Sequence, residues 1–286
     1  HAFRIALAPN VPTEELIRMI SSREIDFTVA VNNITRINQR YYPDIRMGIP
    51  IHEKESLAWA VNKKDLQMLE QINKFFLYAN ESGILQKLAN KYYAHIEAPD
   101  PFDLKKFHQR IKTRLPRFLD TIKKESDLYG FDWRLVAAVV YQESHFNPAA
   151  RSFTNVRGLM QVTTVTAEEM GIRDRRHPVQ SIRAGVKYLD KMIRKFDYFE
   201  DEYDRLLFGL ASYNVGYGHV LDAMKLASEM GLNENRWENL KQTLPLLSKK
   251  KYYKKTKYGY ARGWEPVQYV KRIMTYYDIL KQKQMH

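Results

Sequence analysis

The sequence contains no cysteine. A disulfide framework, a thiolate metal site and a cysteine nucleophile are therefore excluded. The absence fits an oxidising periplasm and equally a reducing cytosol. No apolar run reaches the roughly 18 residues that a membrane-spanning helix needs. The chain begins at His1, without Met and without the apolar core of a signal peptide, so it reads as a processed or truncated product. No low-complexity tract and no internal repeat occurs, which argues against a disordered or repeat protein.

What is present is an ordinary globular composition, 44% hydrophobic and 28% charged over 286 residues. That length suggests two domains, each able to bury its own core. The net charge of +13 is uneven: residues 1–98 hold 12 basic and 11 acidic residues, and the remainder holds 34 and 22. A basic domain favours an anionic partner, whether nucleic acid, anionic lipid or a carboxylate-bearing polymer. Charge alone does not choose among them.

The first part alternates strand-like and helix-like segments. Strands are expected at Phe3–Leu7, Ile25–Val31, Arg46–Ile51 and Leu57–Val61. Helices are expected from Thr13 to Ile20, Ile34 to Tyr42, Asp65 to about Tyr78 and Ile84 to Tyr93. This βαβαββαα order is an α/β layer arrangement. Ala98-Pro99-Asp100-Pro101 is the clearest linker, because two prolines disfavour helix on both sides. Beyond it the pattern is helical: Leu104–Lys124, Trp133–Glu143, Thr163–Met170, Val179–Phe196, Tyr203–Tyr213, His219–Met230 and Pro266–Lys283. The expected fold is thus α+β overall, with an α/β domain at 1–98 and an all-α domain at 99–286.

Glu143 is the first candidate for chemistry. Leu135, Val139 and Glu143 share one helical face, and Val136, Ala137, Ala138 and Val140 make the helix apolar almost all round. Glu143 sits at the C-terminal end of that helix. Partial burial and the negative end of the helix dipole both disfavour a carboxylate, which raises the pKa toward that of a general acid. The alternative is a helix-end glutamate paired with a cation such as Arg151.

Three further segments follow in order. Gly158-Leu159-Met160-Gln161 offers a close backbone approach, an adaptable apolar wall and an amide suited to sugar acetamido groups. Ser212-Tyr213-Asn214-Val215-Gly216 offers a phenol, an amide and a glycine turn. Tyr269-Val270 opens the terminal helix. The set Glu143-Ser144, Gly158 to Gln161, Ser212-Tyr213-Asn214 and Tyr269-Val270 resembles the soluble lytic transglycosylase domain over about residues 105–286. One departure is Ser212, where that family usually has alanine.

The resemblance implies a lysozyme-like all-α fold and cleavage of murein between N-acetylmuramic acid and N-acetylglucosamine. It implies Glu143 as the single catalytic acid/base, with Ser144 beside it. Met160, Gln161, Tyr213, Asn214 and Tyr269 would bind substrate. Tyr269 reads alternatively as a core aromatic of an amphipathic helix. No metal and no cofactor is implied. A glycosidase of the ordinary kind pairs its acid with a second carboxylate. Glu168, Glu169 and Asp174 are the candidates here, and solvated surface is the plainer reading of the first two. A transglycosylase needs none, since the substrate's own N-acetyl group attacks C1 and the C6 hydroxyl closes to a 1,6-anhydro product. A lysozyme-type hydrolase and a non-catalytic murein-binding protein stay open as alternatives.

The stretch from Lys249 to Tyr260 mixes lysines with tyrosines, and Trp264 follows it. Such a mixture suits single-stranded nucleic acid, a polysaccharide with acidic branches, or simple solvation. No nucleic-acid-binding fold accompanies it, so nucleic acid is not expected as a partner.

Residues 1–98 resemble part of a family-3 solute-binding domain of the periplasmic-binding-protein type, through Glu14-Glu15-Leu16-Ile17, Arg23-Glu24-Ile25-Asp26 and Asn38-Gln39-Arg40-Tyr41-Tyr42-Pro43. Val31 follows Ala30 where relatives often place an acidic residue, which speaks against amino-acid binding. The combined order is similar to that of membrane-bound lytic murein transglycosylases. It implies glycan strands and muropeptides as partners, and a periplasmic location at the inner face of the outer membrane.

Overall fold

The structure is a computed structural model that describes residues 4–51, 58–86, 88, 101–152 and 155–282. The chain divides into two compact units, His1–Leu104 and Lys105–His286.

Among the described residues of the first unit, helices include α1 (Thr13–Ser21), α2 (Asn32–Asn38) and α3 (Leu66–Glu81), and residues 84–86 are also helical. Helix α1 buries Ile17, packs on α2, and carries Arg18 between Glu15 and Glu24. Asp65 caps α3, its carboxylate accepting the Met68 N–H at 2.9 Å. Phe76 of α3 meets Trp59 edge-on at 4.9 Å.

The expected strands do not form among the described residues. Ile25–Val31, Arg46–Ile51 and the described parts of Phe3–Leu7 and Leu57–Val61 run without ladder pairing. Their apolar side chains lie open, with Ile5 at 82%, Leu7 at 94% and Ile49 at 89% exposure. A strand exists only with a hydrogen-bonded neighbour, and these segments find none among the described residues. Most of the expected helix from Ile84 to Tyr93, and residues 98–100 of the linker, lie outside the described residues.

The second unit is helical. Helix α4 (Pro101–Thr113) leads through a 3-10 turn (Leu115–Arg117) into α5 (Leu119–Asp127). A single helix was expected from Leu104 to Lys124. Pro116 breaks it, lacking the N–H and clashing with the preceding turn. There follow α6 (Trp133–Ser144), α7 (Thr164–Glu169), α8 (Pro178–Arg194), α9 (Glu202–Val215) and α10 (Tyr217–Glu229). The set ends with α11 (Trp237–Thr243), a 3-10 turn (Leu244–Ser248), α12 (Lys250–Tyr253) and α13 (Trp264–Gln282).

Helix α6 is the buried axis of this unit: every residue from Leu135 to Tyr141 is buried. It packs against α13 and α5, and α9 packs against α8, α10 and α13. Burying so continuous an apolar segment contributes about 1.5–3 kcal/mol for each large side chain. Asp132 starts α6, accepting the Arg134 N–H at 2.9 Å and the Tyr277 hydroxyl of α13 at 2.9 Å. The segment from Lys249 to Tyr260 is partly helical, and its end is clamped: the buried Asp222 carboxylate accepts the N–H groups of Lys257 and Tyr258. Its lysines face solvent.

Candidate active site

The end of α6 is built to stop abruptly after Glu143. Ser144 is buried and its Oγ donates to the Val140 carbonyl at 3.0 Å. His145 and Phe146 then both adopt left-handed backbone, φ 54° and 56°. Two successive non-glycine residues in that region are costly, about 1–3 kcal/mol each. The surroundings hold them there. The His145 N–H closes on the Tyr141 carbonyl at 2.8 Å, the Arg114 guanidinium donates to the His145 carbonyl at 3.1 Å, and the buried Phe146 ring lies 5.4 Å from Tyr141. The chain turns away at once and leaves Glu143 as the last acidic side chain of a buried helix.

Glu143 is half-buried. Tyr269 of α13 donates its Oη–H to Glu143 Oε1 at 2.5 Å. Burial raises the carboxyl pKa, the tyrosine hydrogen bond opposes it, and burial prevails, to about 7. Among the described residues Glu143 makes no ion pair. The alternative partner, Arg151, lines a separate cavity with Arg157 and Arg176.

Tyr213 approaches the same point from α9. Burial first, and then the nearby Glu143 charge, push its phenol well above the ordinary value. Its hydroxyl donates to the Met160 carbonyl at 2.7 Å, and its ring lies 5.3 Å from Tyr188. Asn214 follows, exposed, at the end of α9.

The loop bearing Met160 is fixed by close packing. Gly158 has φ 95°, and a Cβ there would collide with the Arg175 carbonyl oxygen. Met160 is fully buried, its N–H donating to Ser181 Oγ at 3.1 Å and its side chain filling the space beside Gly185. Gln161, at φ 47°, turns its Nε2 to the carbonyls of Gly158 at 2.7 Å and Ala150 at 3.2 Å. Two hydrogen-bonded pairs result, Tyr269 with Glu143 and Tyr213 with Met160, and the Glu143 charge acts on both phenols, while Ser144 and Met160 are buried.

Sequence reasoning missed Ser181, Tyr188 and the left-handed pair at His145 and Phe146. Ser181, Ala184 and Gly185 form a small-residue face on α8, and that spacing is the signal that a loop packs closely there.

Two of the three candidate second carboxylates are paired with cations, and the third is exposed. Glu169 pairs with Lys191, Asp174 takes the N–H and Nε of Arg176, and Glu168 is exposed. Among the described residues no cluster of three His, Asp or Glu side chains suits a metal ion.

The pattern of segments has a counterpart in known proteins. Residues 120–235 match the Transglycosylase SLT domain. The SLT match contains Glu143, Ser144, Met160, Gln161, Tyr213 and Asn214, and ends before Tyr269. The whole chain is similar to proteins named Membrane-bound lytic murein transglycosylase F. That of Desulfosudis oleivorans is 55% identical over 98% of this chain and 62% of its own length. That of Shewanella sediminis is 45% identical over 94% and 56%, and that of Stutzerimonas stutzeri 44% over 94% and 56%. The chain therefore spans 56–62% of the length of these relatives.

Proposed function

We propose that this chain is a murein lytic transglycosylase that cleaves the β-1,4 bond between N-acetylmuramic acid and N-acetylglucosamine and leaves 1,6-anhydro ends. The observation that carries the reading is Glu143: a half-buried carboxyl with a pKa near 7, held by Tyr269, inside the matched SLT domain. Such a group is protonated often enough near neutrality to act as an acid, and it ionises readily enough to act next as a base. Glu143 gives its proton to the leaving glycosidic oxygen. The substrate's N-acetyl carbonyl attacks C1. Glu143 then takes the proton of the C6 hydroxyl, whose oxygen closes on C1 and displaces the acetyl oxygen, so that the N-acetyl group is restored. One bond to C1 is exchanged for another within the same sugar, and no water is consumed.

The surroundings favour this over a lysozyme-type hydrolase. A hydrolase of that kind needs a second carboxylate at the site, whereas Glu169 and Asp174 are tied to Lys191 and Arg176 and Glu168 is exposed to solvent. Tyr213 and Tyr269 would border the scissile bond, and Asn214 would contact the glycan. The Gln161 amide nitrogen is committed to protein carbonyls, which leaves its oxygen to accept from a sugar N–H. Ser144 and Met160 would act through the wall that holds these groups.

The partners would be glycan strands and muropeptides rather than nucleic acid, in the periplasm at the inner face of the outer membrane. No helix among the described residues is long and apolar enough to cross a membrane. The first unit would be part of a solute-binding lobe of α/β type. The second would be a lysozyme-like domain, with the boundary in the sequence near residue 98.

Digestion of purified sacculi tests the reading. Products one water lighter than reducing-end muropeptides, lost in Glu143→Gln, are expected. Reducing ends would indicate hydrolysis, and product release by Glu143→Gln equal to that of the parent would remove Glu143 from the chemistry.

A further inference from the structure

Directly after the helix that carries Glu143 lies a depression lined by several arginines. After Glu143 the chain runs through Pro148, Ala149 and Ala150, and these small residues line part of a cavity of about 490 Å³. Arg151, Arg157, Arg176 and His177 wall it. A neighbouring cavity of about 250 Å³ shares Arg157, Asp174 and Arg176 with it and adds Arg173. Within the first cavity three guanidinium groups face one carboxylate, Asp174, which Arg176 already engages at 3.1 Å.

The arginines differ in what they do. Arg175 is structural, since its guanidinium donates to the carbonyls of Val162 and Asn155. Arg157 leans on Asn155 at 3.1 Å. Arg151 and Arg176 are exposed at the cavity wall. The Arg151 and Arg157 backbones pair as an isolated antiparallel bridge, which fixes the two side chains on one short frame. The frame is joined to the candidate active site, because Gln161 donates to the carbonyl of Ala150, which lines the cavity. Helix α8 begins at Pro178, directly after His177, and its positive end adds to the same field.

A cavity lined by arginines beside alanine and proline suits an anionic ligand, and a short peptide with several carboxylates and small side chains is such a ligand. Guanidinium groups take carboxylates in a two-point fork, and methyl groups fit beside alanine and proline. The proposed glycan substrate carries such a branch on every N-acetylmuramic acid. We propose that this cavity binds the carboxylates of the stem peptide and so sets which sugar of the strand lies over Glu143. The inference rests on the murein reading above. It assigns peptide recognition to Arg151, Arg157 and Arg176 rather than to the solvated lysines at 249–257.

Calorimetric titration tests it with two soluble probes: a disaccharide tetrapeptide with free carboxylates, and the same molecule with its carboxylates amidated. The free form is expected to bind at least tenfold more tightly. Arg151→Gln and Arg176→Gln, neither in the catalytic machinery, are each expected to weaken the free form about tenfold and to leave the amidated form unchanged. Unchanged thermal melts would show that both variants fold, and Arg151→Lys should restore part of the affinity. Equal binding of the two probes, equal binding by the variants, or no binding by the parent chain would each overturn the proposal. Sacculus digestion separates this from the catalytic reading. Anhydro products with no carboxylate preference would leave the enzyme standing and remove the peptide site. Carboxylate-dependent binding without products would do the reverse.

Discussion

Tyr269 and Glu143 meet at 2.5 Å across 126 residues of chain, the phenol donating to the carboxyl. The contact ties the last turn of α6 to the first turns of α13, two helices that already pack along their length. It also sets two influences against each other. A donated hydrogen bond favours the charged carboxylate, and burial favours the neutral acid. Burial wins, and the pKa settles near 7.

A pH dependence follows. In the proposed mechanism bond cleavage needs protonated Glu143, so the rate should be steady well below pH 7 and fall about tenfold per pH unit well above it. Tyr269→Phe removes the interaction that favours the charge, so the falling limb should move to higher pH. The plateau should drop about tenfold or more, because the carboxyl loses the contact that aims it. Muropeptide release measured from pH 5 to 9 checks both. A limb that stays in place, or moves to lower pH, would mean that Tyr269 does not act on Glu143.

Stability should record the same shift. The folded-state pKa of Glu143 is raised from 4.5 to about 7. Its contribution to stability is therefore complete below about pH 4.5 and is lost as pH rises through 7, where folding must hold a buried charge. The amide introduced by Glu143→Gln carries no charge at any pH. That variant should match the parent near pH 4.5 and exceed it by on the order of 1–3 kcal/mol at pH 8–9. Melting curves at several pH values measure this, and a difference that does not grow with pH would contradict the burial argument.

Helices such as α6, α8, α9 and α13 were legible because their apolar residues repeat at helical spacing, which local sequence determines. The strands were not. Ile25–Val31 reads the same whether or not a neighbour pairs with it, and pairing is decided elsewhere in the chain. The break at Pro116 was available from the missing N–H, but an apolar period running through it argued for continuity. Within the candidate site, the partial burial of Glu143 was legible from its place at the end of an apolar helix. Tyr269 was legible only from the order of motifs, since a tyrosine facing a core and one facing a carboxyl show the same spacing. Ser181, which accepts the Met160 N–H, left no mark beyond a small-residue face.

Gly158 should tolerate no side chain. Its φ of 95° strains any L residue, and a Cβ would collide with a backbone oxygen of Arg175, a clash that no side-chain rotation relieves. Gly158→Ala is expected to cost about 2–4 kcal/mol and to shift the Met160 carbonyl that holds Tyr213. Activity should fall even at temperatures where the variant remains folded. A melting temperature matching that of the parent would show that the loop has room that this packing denies it.

Ser212 points the opposite way. It lies fully buried in α9, next to Tyr213, and its Oγ has no hydrogen-bond partner among the described residues. A buried hydroxyl left unpaired costs about 1–3 kcal/mol, and alanine is the better helix former by about 0.5 kcal/mol. The family that the site resembles usually has alanine at this position. Ser212→Ala should therefore stabilise the chain by about 1 kcal/mol, which in a unit of this size raises the melting temperature by about 2–4 °C. Catalysis should stay within a factor of about two, because the Tyr213 bond to Met160 and the Tyr269 bond to Glu143 involve neither the lost oxygen nor its volume. A loss of stability would mean that the hydroxyl is paired after all, and the α9 end of the site would then be held by a contact of Ser212 rather than by packing alone.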